Sequence, residues 1–151
     1  MKVVNTMLVN VKSRLNENEV QELLSYSVFS DPEALQPVLE RYENDTNLWL
    51  FGYESEGIMV GIIGFELSDN QEMTITHLAV EPESRGVGFG RGIILEIIED
   101  MHPIRIMAET DEESVQFYRN IGFVIRSLGE KYPGVERFVC TYEVEEAEEG
   151  D

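Results

Sequence analysis

Apolar and polar positions recur along this chain with periods that assign most of its elements. Val3 to Val11 is apolar-rich with β-branched residues and reads as a first strand. Asn16-Glu17-Asn18-Glu19 opens a helix, with Asn16 placed to cap it and Glu19 three residues on, as in a capping box. Val20, Leu23, Leu24 and Val28 follow at helical spacing. Asp31-Pro32-Glu33 is a second start signal, and Leu35, Val38, Leu39 and Tyr42 mark the buried face of that helix. Asn44 to Asn47 breaks it. Leu48–Tyr53, Ile58–Leu67 and Met73–Val80 read as strands joined by links of hairpin length. Gly61 and Gly64 inside the second of these signal a bulge or a close backbone approach.

After Pro82 comes a glycine-rich turn, then a helical face of Ile93, Ile94, Ile97, Ile98 and Met101 that Pro103 stops. Ile104–Ala108 is a short strand. Asp111 caps a helix through Val115, Tyr118 and Ile121, and Gly122 ends it. Phe123–Leu128 and Val135–Val144 are closing strands around Tyr132-Pro133-Gly134. The order is strand, two helices, three strands, helix, strand, helix, two strands. It predicts a mixed α/β sheet with helices on its faces. One domain over residues 1–144 and an acidic tail over 145–151 are expected, with no internal repeat.

Composition narrows the class. Hydrophobic residues are 42% of 151, so a folded core is expected rather than disorder. One cysteine, Cys140, excludes an internal disulfide framework, and two histidines, His77 and His102, are too few for a histidine-built metal site, so no metal is expected. No apolar run approaches the ~18 residues of a membrane span. The first residues show no long apolar region or small-residue cleavage site, so no signal peptide and a cytoplasmic location are expected.

Charge changes the picture more. Eleven basic and thirty acidic residues give −19, a field that repels nucleic acid and anionic lipid, so neither is an expected partner. Residues 1–84 carry 4 basic and 15 acidic groups, and residues 85–137 carry 7 and 9. An anionic ligand therefore belongs in the second segment.

Candidate chemistry starts there, at Arg85-Gly86-Val87-Gly88-Phe89-Gly90-Arg91-Gly92. A strand ends, a turn follows and a helix begins. Its first N–H groups have no helical partner, and glycines let a ligand oxygen reach them. This is the chemistry of a phosphate site. Gly90-Arg91-Gly92 lacks the Gly-Lys-Ser/Thr of a Walker loop. A dinucleotide fingerprint would need glycine where Arg91 stands, although Glu109 sits where a ribose-binding acid would.

Arg85-x-x-Gly88-x-Gly90 resembles the [Arg/Gln]-x-x-Gly-x-[Gly/Ala] signature of the GNAT superfamily of acetyl-CoA-dependent N-acyltransferases. Leu78-Ala79-Val80-Glu81-Pro82 resembles the strand and turn before it, and Ser114 to Phe123 is similar to the family's second hallmark. The resemblance implies a mostly antiparallel sheet whose central strands, residues 73–80 and 104–108, splay apart. It implies acetyl-CoA as co-substrate. The pantetheine arm would pair with the backbone of Leu78 and Val80, and the pyrophosphate would sit on N–H groups of Gly86 through Arg91. A backbone N–H near Ala79 or Val80 would be the oxyanion donor. The acceptor would be an amine attacking directly, and Tyr118 would protonate the departing thiolate. Asp111 stands where many members carry Asn.

Each role has a plainer competitor. Tyr118 shares a helix face with Val115 and Ile121, and without the resemblance it reads as a core aromatic. His77 is a general-base candidate or a hydrogen-bonded sheet histidine. Glu109 is the second candidate base; Glu66 and Glu72 flank a hairpin link and read as solvated. Cys140, mid-strand, reads as inert filling rather than a nucleophile. Phe29, Trp49, Phe51 and Tyr53 are either acceptor-pocket or core aromatics.

The acidic N-terminal half favours a cationic small molecule or basic peptide end as acceptor. A non-catalytic acyl-CoA-binding regulatory module is the alternative. Val135–Thr141, taken as a terminal edge strand, leads to the expectation of a homodimer.

Overall fold

A computed structural model describes residues 5–27 and 32–144. The elements are β1 (Thr6–Asn10), a 3₁₀ turn (Lys12–Arg14), α1 (Asn18–Ser25), α2 (Pro32–Asn44), β2 (Leu48–Ser55), β3 (Ile58–Leu67), β4 (Glu72–Val80), a 3₁₀ turn (Pro82–Ser84), α3 (Phe89–Met101), β5 (Arg105–Thr110), α4 (Glu112–Ile121), β6 (Val124–Tyr132) and β7 (Val135–Glu143). The strands follow the order β1-β2-β3-β4-β5-β7-β6. The sheet is mixed and mostly antiparallel, as expected. Two compact units divide the chain: one holds the residues up to Glu66 with Thr76–Met101, the other Leu67–Ile75 with those from His102.

In the first unit β1, β2 and β3 form antiparallel pairs, from Thr6↔Ser55 to Asn10↔Phe51 and from Leu48↔Glu66 to Ser55↔Ile58. The β2–β3 register shifts beside Gly61, so that glycine sits at a bulge and also at a close approach: a Cβ there would stand 2.7 Å from the Ile93 side chain. Val20, Leu24, Tyr42, Leu48, Leu50 and Ile62 are fully or almost fully buried in one core formed with α1 and α2. Lys12 ties the turn between α2 and β2, its Nζ donating to the carbonyls of Asp45 (2.7 Å) and Leu48 (2.6 Å). Tyr53 is buried beneath α3, its ring against Phe89. A Cβ at Gly92 would stand 2.7 Å from its hydroxyl, so Gly92 serves packing.

The second unit carries one parallel ladder. Glu72, Met73 and Thr74 pair with Arg105, Ile106 and Met107, and there the ladder ends. Arg105 pins it, its Nη1 3.0 Å from Glu72 and its Nε 2.6 Å from Glu143. β7 pairs antiparallel with β5 on one side and β6 on the other. Val115, Tyr118 and Phe123 bury the inner face of α4 and the chain that follows it. The Asp111 carboxylate accepts from the Ser114 N–H at 3.1 Å, and Gly122, at φ +112°, closes the helix with its N–H on Arg119.

Four expectations need correction. β7 is an inner strand and β6 the edge, because the final hairpin lays β7 beside β5; the reason given for a homodimer falls with it. The helix expected at Asn16 starts at Asn18 with Glu17 as its cap residue, and no side chain caps it. Arg14 is the cause: its guanidinium takes the Glu17 and Glu19 carboxylates at 2.8 and 3.1 Å, so Glu19 cannot turn back to close a capping box. Ile104 precedes β5 and is exposed, its N–H on the Gln71 carbonyl. Glu109 lies within β5 rather than at its end. The expected cap Asp31, together with Val28 and Phe29, and the acidic tail lie outside the described residues.

Candidate functional site

The glycine-rich segment is built by the first unit. β4 ends at Val80, a 3₁₀ turn follows, and α3 starts at Phe89. Gly86 and Gly88 have φ of +89° and +87°, which side chains with a Cβ rarely adopt, and open space surrounds both. The first bond into the helix runs from the Gly92 N–H to the Gly88 carbonyl at 2.9 Å. The N–H groups of Phe89, Gly90 and Arg91 therefore precede it, at the positive end of the helix dipole. Val87 and Arg91 are exposed. Backbone donors, positive dipole and open space fit an anionic ligand of phosphate type.

Arg85 does not reach outward as an isolated charge. Its Nε donates to the Val80 carbonyl at 3.0 Å, folding the loop back on the end of β4. The Ala79 carbonyl faces β3, since a Cβ on Gly61 would stand 3.1 Å from it. Ala79 is buried, and Leu78 and Val80 are half-buried.

His77 sits in the same strand. Its Nδ1 is 2.7 Å from the Tyr42 hydroxyl, which is also 2.5 Å from Thr76 Oγ1. Burial, then the nearby Arg41 charge, lowers the imidazole pKa to about 4. The ring is therefore neutral at physiological pH. Sequence reading placed Tyr42 only on an apolar helix face. The signals for its partners were a phenol on that face, which needs a polar partner when buried, and a glycine at position 64 opposite it.

Tyr118 belongs to the second unit. Its ring lies edge-on to Phe117 and Phe123, with centroids 5.1 and 5.2 Å away. Burial pushes its phenol pKa well above the usual value, with Cys140 adding to the rise. The phenol thus stays protonated across physiological pH. Cys140 is fully buried, and burial raises its thiol as well, the behaviour of inert filling. Among the described residues the Tyr118 hydroxyl has no hydrogen-bond partner, yet it is not a sealed buried orphan.

Glu109 is exposed and held by Arg137 (3.1 Å) and Lys131 (3.3 Å), and the Arg137 hydrogen bond leads in lowering its pKa. Glu72 is the partner of Arg105, and Glu66 faces Leu48 across β2 and β3. Trp49 and Phe51 stack on Phe65 with ring planes within 8° of parallel. No group of His, Cys, Asp and Glu is arranged to hold a metal among the described residues. Nor is any described helix long and apolar enough to cross a membrane.

The acetyltransferase (GNAT) domain family matches residues 11–134. The chain belongs to the GNAT acetyltransferase family. An uncharacterized N-acetyltransferase of Bacillus methanolicus is 29% identical over 73 residues, covering 48% of this chain and 60% of that relative's length. The fold is that of solved GNAT proteins. An acetyltransferase of the family from Desulfovibrio desulfuricans superposes with a TM-score of 0.75 at 16% identity, covering 93% of this chain and 99% of that one. The ribosomal-protein-S18-alanine N-acetyltransferase of Escherichia coli superposes at 0.71 and 14%, covering 97% and 98%. Spermidine N-acetyltransferase from Vibrio cholerae, solved with CoA and spermine, superposes at 0.69 and 16%, covering 91% and 95%.

Proposed function

We propose that this GNAT protein moves the acetyl group of acetyl-CoA to a primary amine by direct attack, in the cytoplasm. The observation that carries the reading is the α3 N-terminus with its two positive-φ glycines, a backbone cradle for the pyrophosphate. Gly86 through Arg91 would hold that group. The pantetheine arm would pair along β4 at Leu78 and Val80. Because Arg85 occupies the Val80 carbonyl, Leu78 is the readier partner. Acetyl-CoA supplies an activated thioester. A backbone N–H at Ala79 or Val80 would stabilise charge developing on the carbonyl oxygen.

His77, neutral and with one ring nitrogen tied to Tyr42, would accept a proton from the amine. Its low pKa makes it a weak acceptor, but it holds the form that can accept. Tyr118, protonated throughout, would supply a proton to the thiolate. Glu109 is a poorer base, because two cations hold its charge. The acidic first 84 residues favour a cationic acceptor, and the Vibrio cholerae spermidine enzyme supports an amine of that class.

Thiol release with a panel of polyamines, aminoglycosides and basic peptide N-termini tests the reading, and one class of amine should drive it. Gly88→Val places a branched side chain at φ +87° where the phosphate would approach, so acetyl-CoA binding measured by calorimetry should be lost. Acetyl-CoA binding without turnover on any amine would favour a non-catalytic regulatory module instead.

A further inference from the structure

The first unit holds a polar cluster that the family signatures do not include. Tyr42, in α2, is fully buried. Its hydroxyl lies 2.5 Å from Thr76 Oγ1 and 2.7 Å from His77 Nδ1, with its ring tilted 57° to the imidazole at 5.4 Å. That hydroxyl occupies space that only a glycine at position 64 leaves open, since any Cβ there would overlap it. A helix residue thus reaches into β4 and engages two consecutive side chains. Arg41 from α2 and Glu66 from β3 are the charged groups acting on Tyr42, and Arg41 acts on His77 too.

A phenol has one proton and here faces two neighbours. If the proton goes to His77 Nδ1, the neutral ring carries its own proton on Nε2 and has no lone pair to offer there. If the proton goes to Thr76 Oγ1, Tyr42 accepts from Nδ1–H and Nε2 keeps its lone pair. A free neutral imidazole has no such constraint; the partner of one nitrogen decides the state of the other.

We propose that Tyr42 is a positioning residue: it accepts from His77 Nδ1–H, donates to Thr76 Oγ1, and so keeps Nε2 as the proton-accepting atom. This rests on the reading of His77 as the group that takes a proton from the amine. In that step an acceptor ammonium gives one proton to Nε2, the N–H electron pair stays on the amine nitrogen, and the resulting imidazolium keeps Nδ1–H on Tyr42. The proton then leaves to solvent.

Nitrogen-15 spectra of the full chain with labelled histidine test this without any acceptor. The chain has two histidines, and His102→Asn assigns them, asparagine tolerating the φ of +53° at that position. At neutral pH His77 should show a protonated Nδ1 and an unprotonated Nε2. Thr76→Val removes the oxygen that takes the phenol proton. Tyr42 then has only Nδ1 to donate to, and His77 should switch to the Nε2–H form. Tyr42→Phe should release the ring to a mixture of both forms.

Where an amine from the panel is turned over, Thr76→Val should lower kcat/KM by about tenfold or more and Tyr42→Phe by a smaller factor of roughly two to five, both should shift the acidic limb of its pH profile, and both should leave the KM for acetyl-CoA unchanged. An Nε2–H ring in the unmodified protein, or a spectrum that neither variant alters, overturns the proposal. Spectra that change as stated while kcat/KM stays constant support Tyr42 as the group that sets the tautomer and remove His77 as the base. Tyr42→Phe need not fold for the result to be read, because Thr76→Val retains the ring and a near-identical shape.

Discussion

Two buried tyrosines, one in each unit, carry opposite kinds of hydroxyl. Tyr42 and Tyr118 are 0% and 6% exposed, and burial raises both phenol pKa values, that of Tyr42 to about 12. Yet the Tyr42 hydroxyl has two side-chain partners, while the Tyr118 hydroxyl has none among the described residues. A hydroxyl engaged on both sides holds its neighbours in place and has no proton to spare. One without partners adds little to stability and is free to donate to something that arrives. Burial alone therefore does not separate a structural tyrosine from a reactive one; the fate of the oxygen does.

The largest expected effect follows from that contrast. Tyr118→Phe should lower turnover by roughly 10²–10⁴-fold if the phenol protonates the thiolate. The same change should leave acetyl-CoA affinity and urea stability nearly untouched, within about 0.5 kcal/mol, since among the described residues no hydrogen bond is lost. Tyr42→Phe should behave differently in the urea measurement. It strips Thr76 and His77 of a shared partner inside the fold and should cost about 1–3 kcal/mol. Equal stability losses for the two variants would break the comparison, and a silent Tyr118→Phe with chemistry rate-limiting would take Tyr118 out of the reaction.

Next in size is a pH effect. His77 titrates near 4 in the folded chain against an ordinary 6.5. Above about 6.5 the ring is neutral folded or unfolded, and the contribution of this histidine to stability does not change with pH. As pH falls from there toward 4 the unfolded chain binds the proton and the folded chain does not, so stability is lost through that window. The loss is on the order of 3 kcal/mol and levels off below the folded pKa. Carboxylates titrate in the lower part of the window, so the measurement is a difference: the fall in urea stability from pH 7 to pH 5 should be steeper for the unmodified chain than for His77→Gln. Parallel curves would mean that the ring is far less buried than its contacts with Tyr42 indicate.

The sequence showed the second tyrosine better than the first, and the reasons are physical. Residues 111–123 carry their own instructions: an aspartate that caps, apolar residues on one face, and a glycine that must take positive φ. Nothing outside the segment is needed to place Tyr118. The glycine-rich start of α3 is legible for the same reason, although Gly92 proved to be space for Tyr53 rather than for a ligand. Tyr42 was different. Helical periodicity saw its ring as one more apolar position, while its two partners lie 34 and 35 residues away. Long-range pairing also hid the place of β7, since local pattern shows a strand but not its neighbours. The start of α1 went astray because Arg14, outside the helix, claimed the glutamate that the capping pattern needed.

The smallest expected effect separates the two candidate bases. Glu109 and His77 both lie on strands, but their surroundings differ as those of the tyrosines do. The Glu109 carboxylate is open to solvent and already shared by Arg137 and Lys131, and its pKa lies below the ordinary value. A carboxylate so held is ionised at any physiological pH and is a weaker base than an ordinary one, so it has little tendency to take a proton from an ammonium. Its ion pairs, being exposed, contribute roughly 0–1 kcal/mol to stability. Glu109→Gln keeps the shape and removes the charge. Turnover should therefore stay within about threefold of the unmodified protein, a barrier change of roughly 0.6 kcal/mol, and urea stability should fall by no more than about 1 kcal/mol. Raising the salt concentration to 1 M should shrink even that difference, because ions screen exposed pairs at a distance of about 3 Å. A hundredfold loss of turnover in Glu109→Gln, with acetyl-CoA affinity intact, would reverse the assignment and make Glu109 the base, leaving His77 as a sheet histidine held by Tyr42.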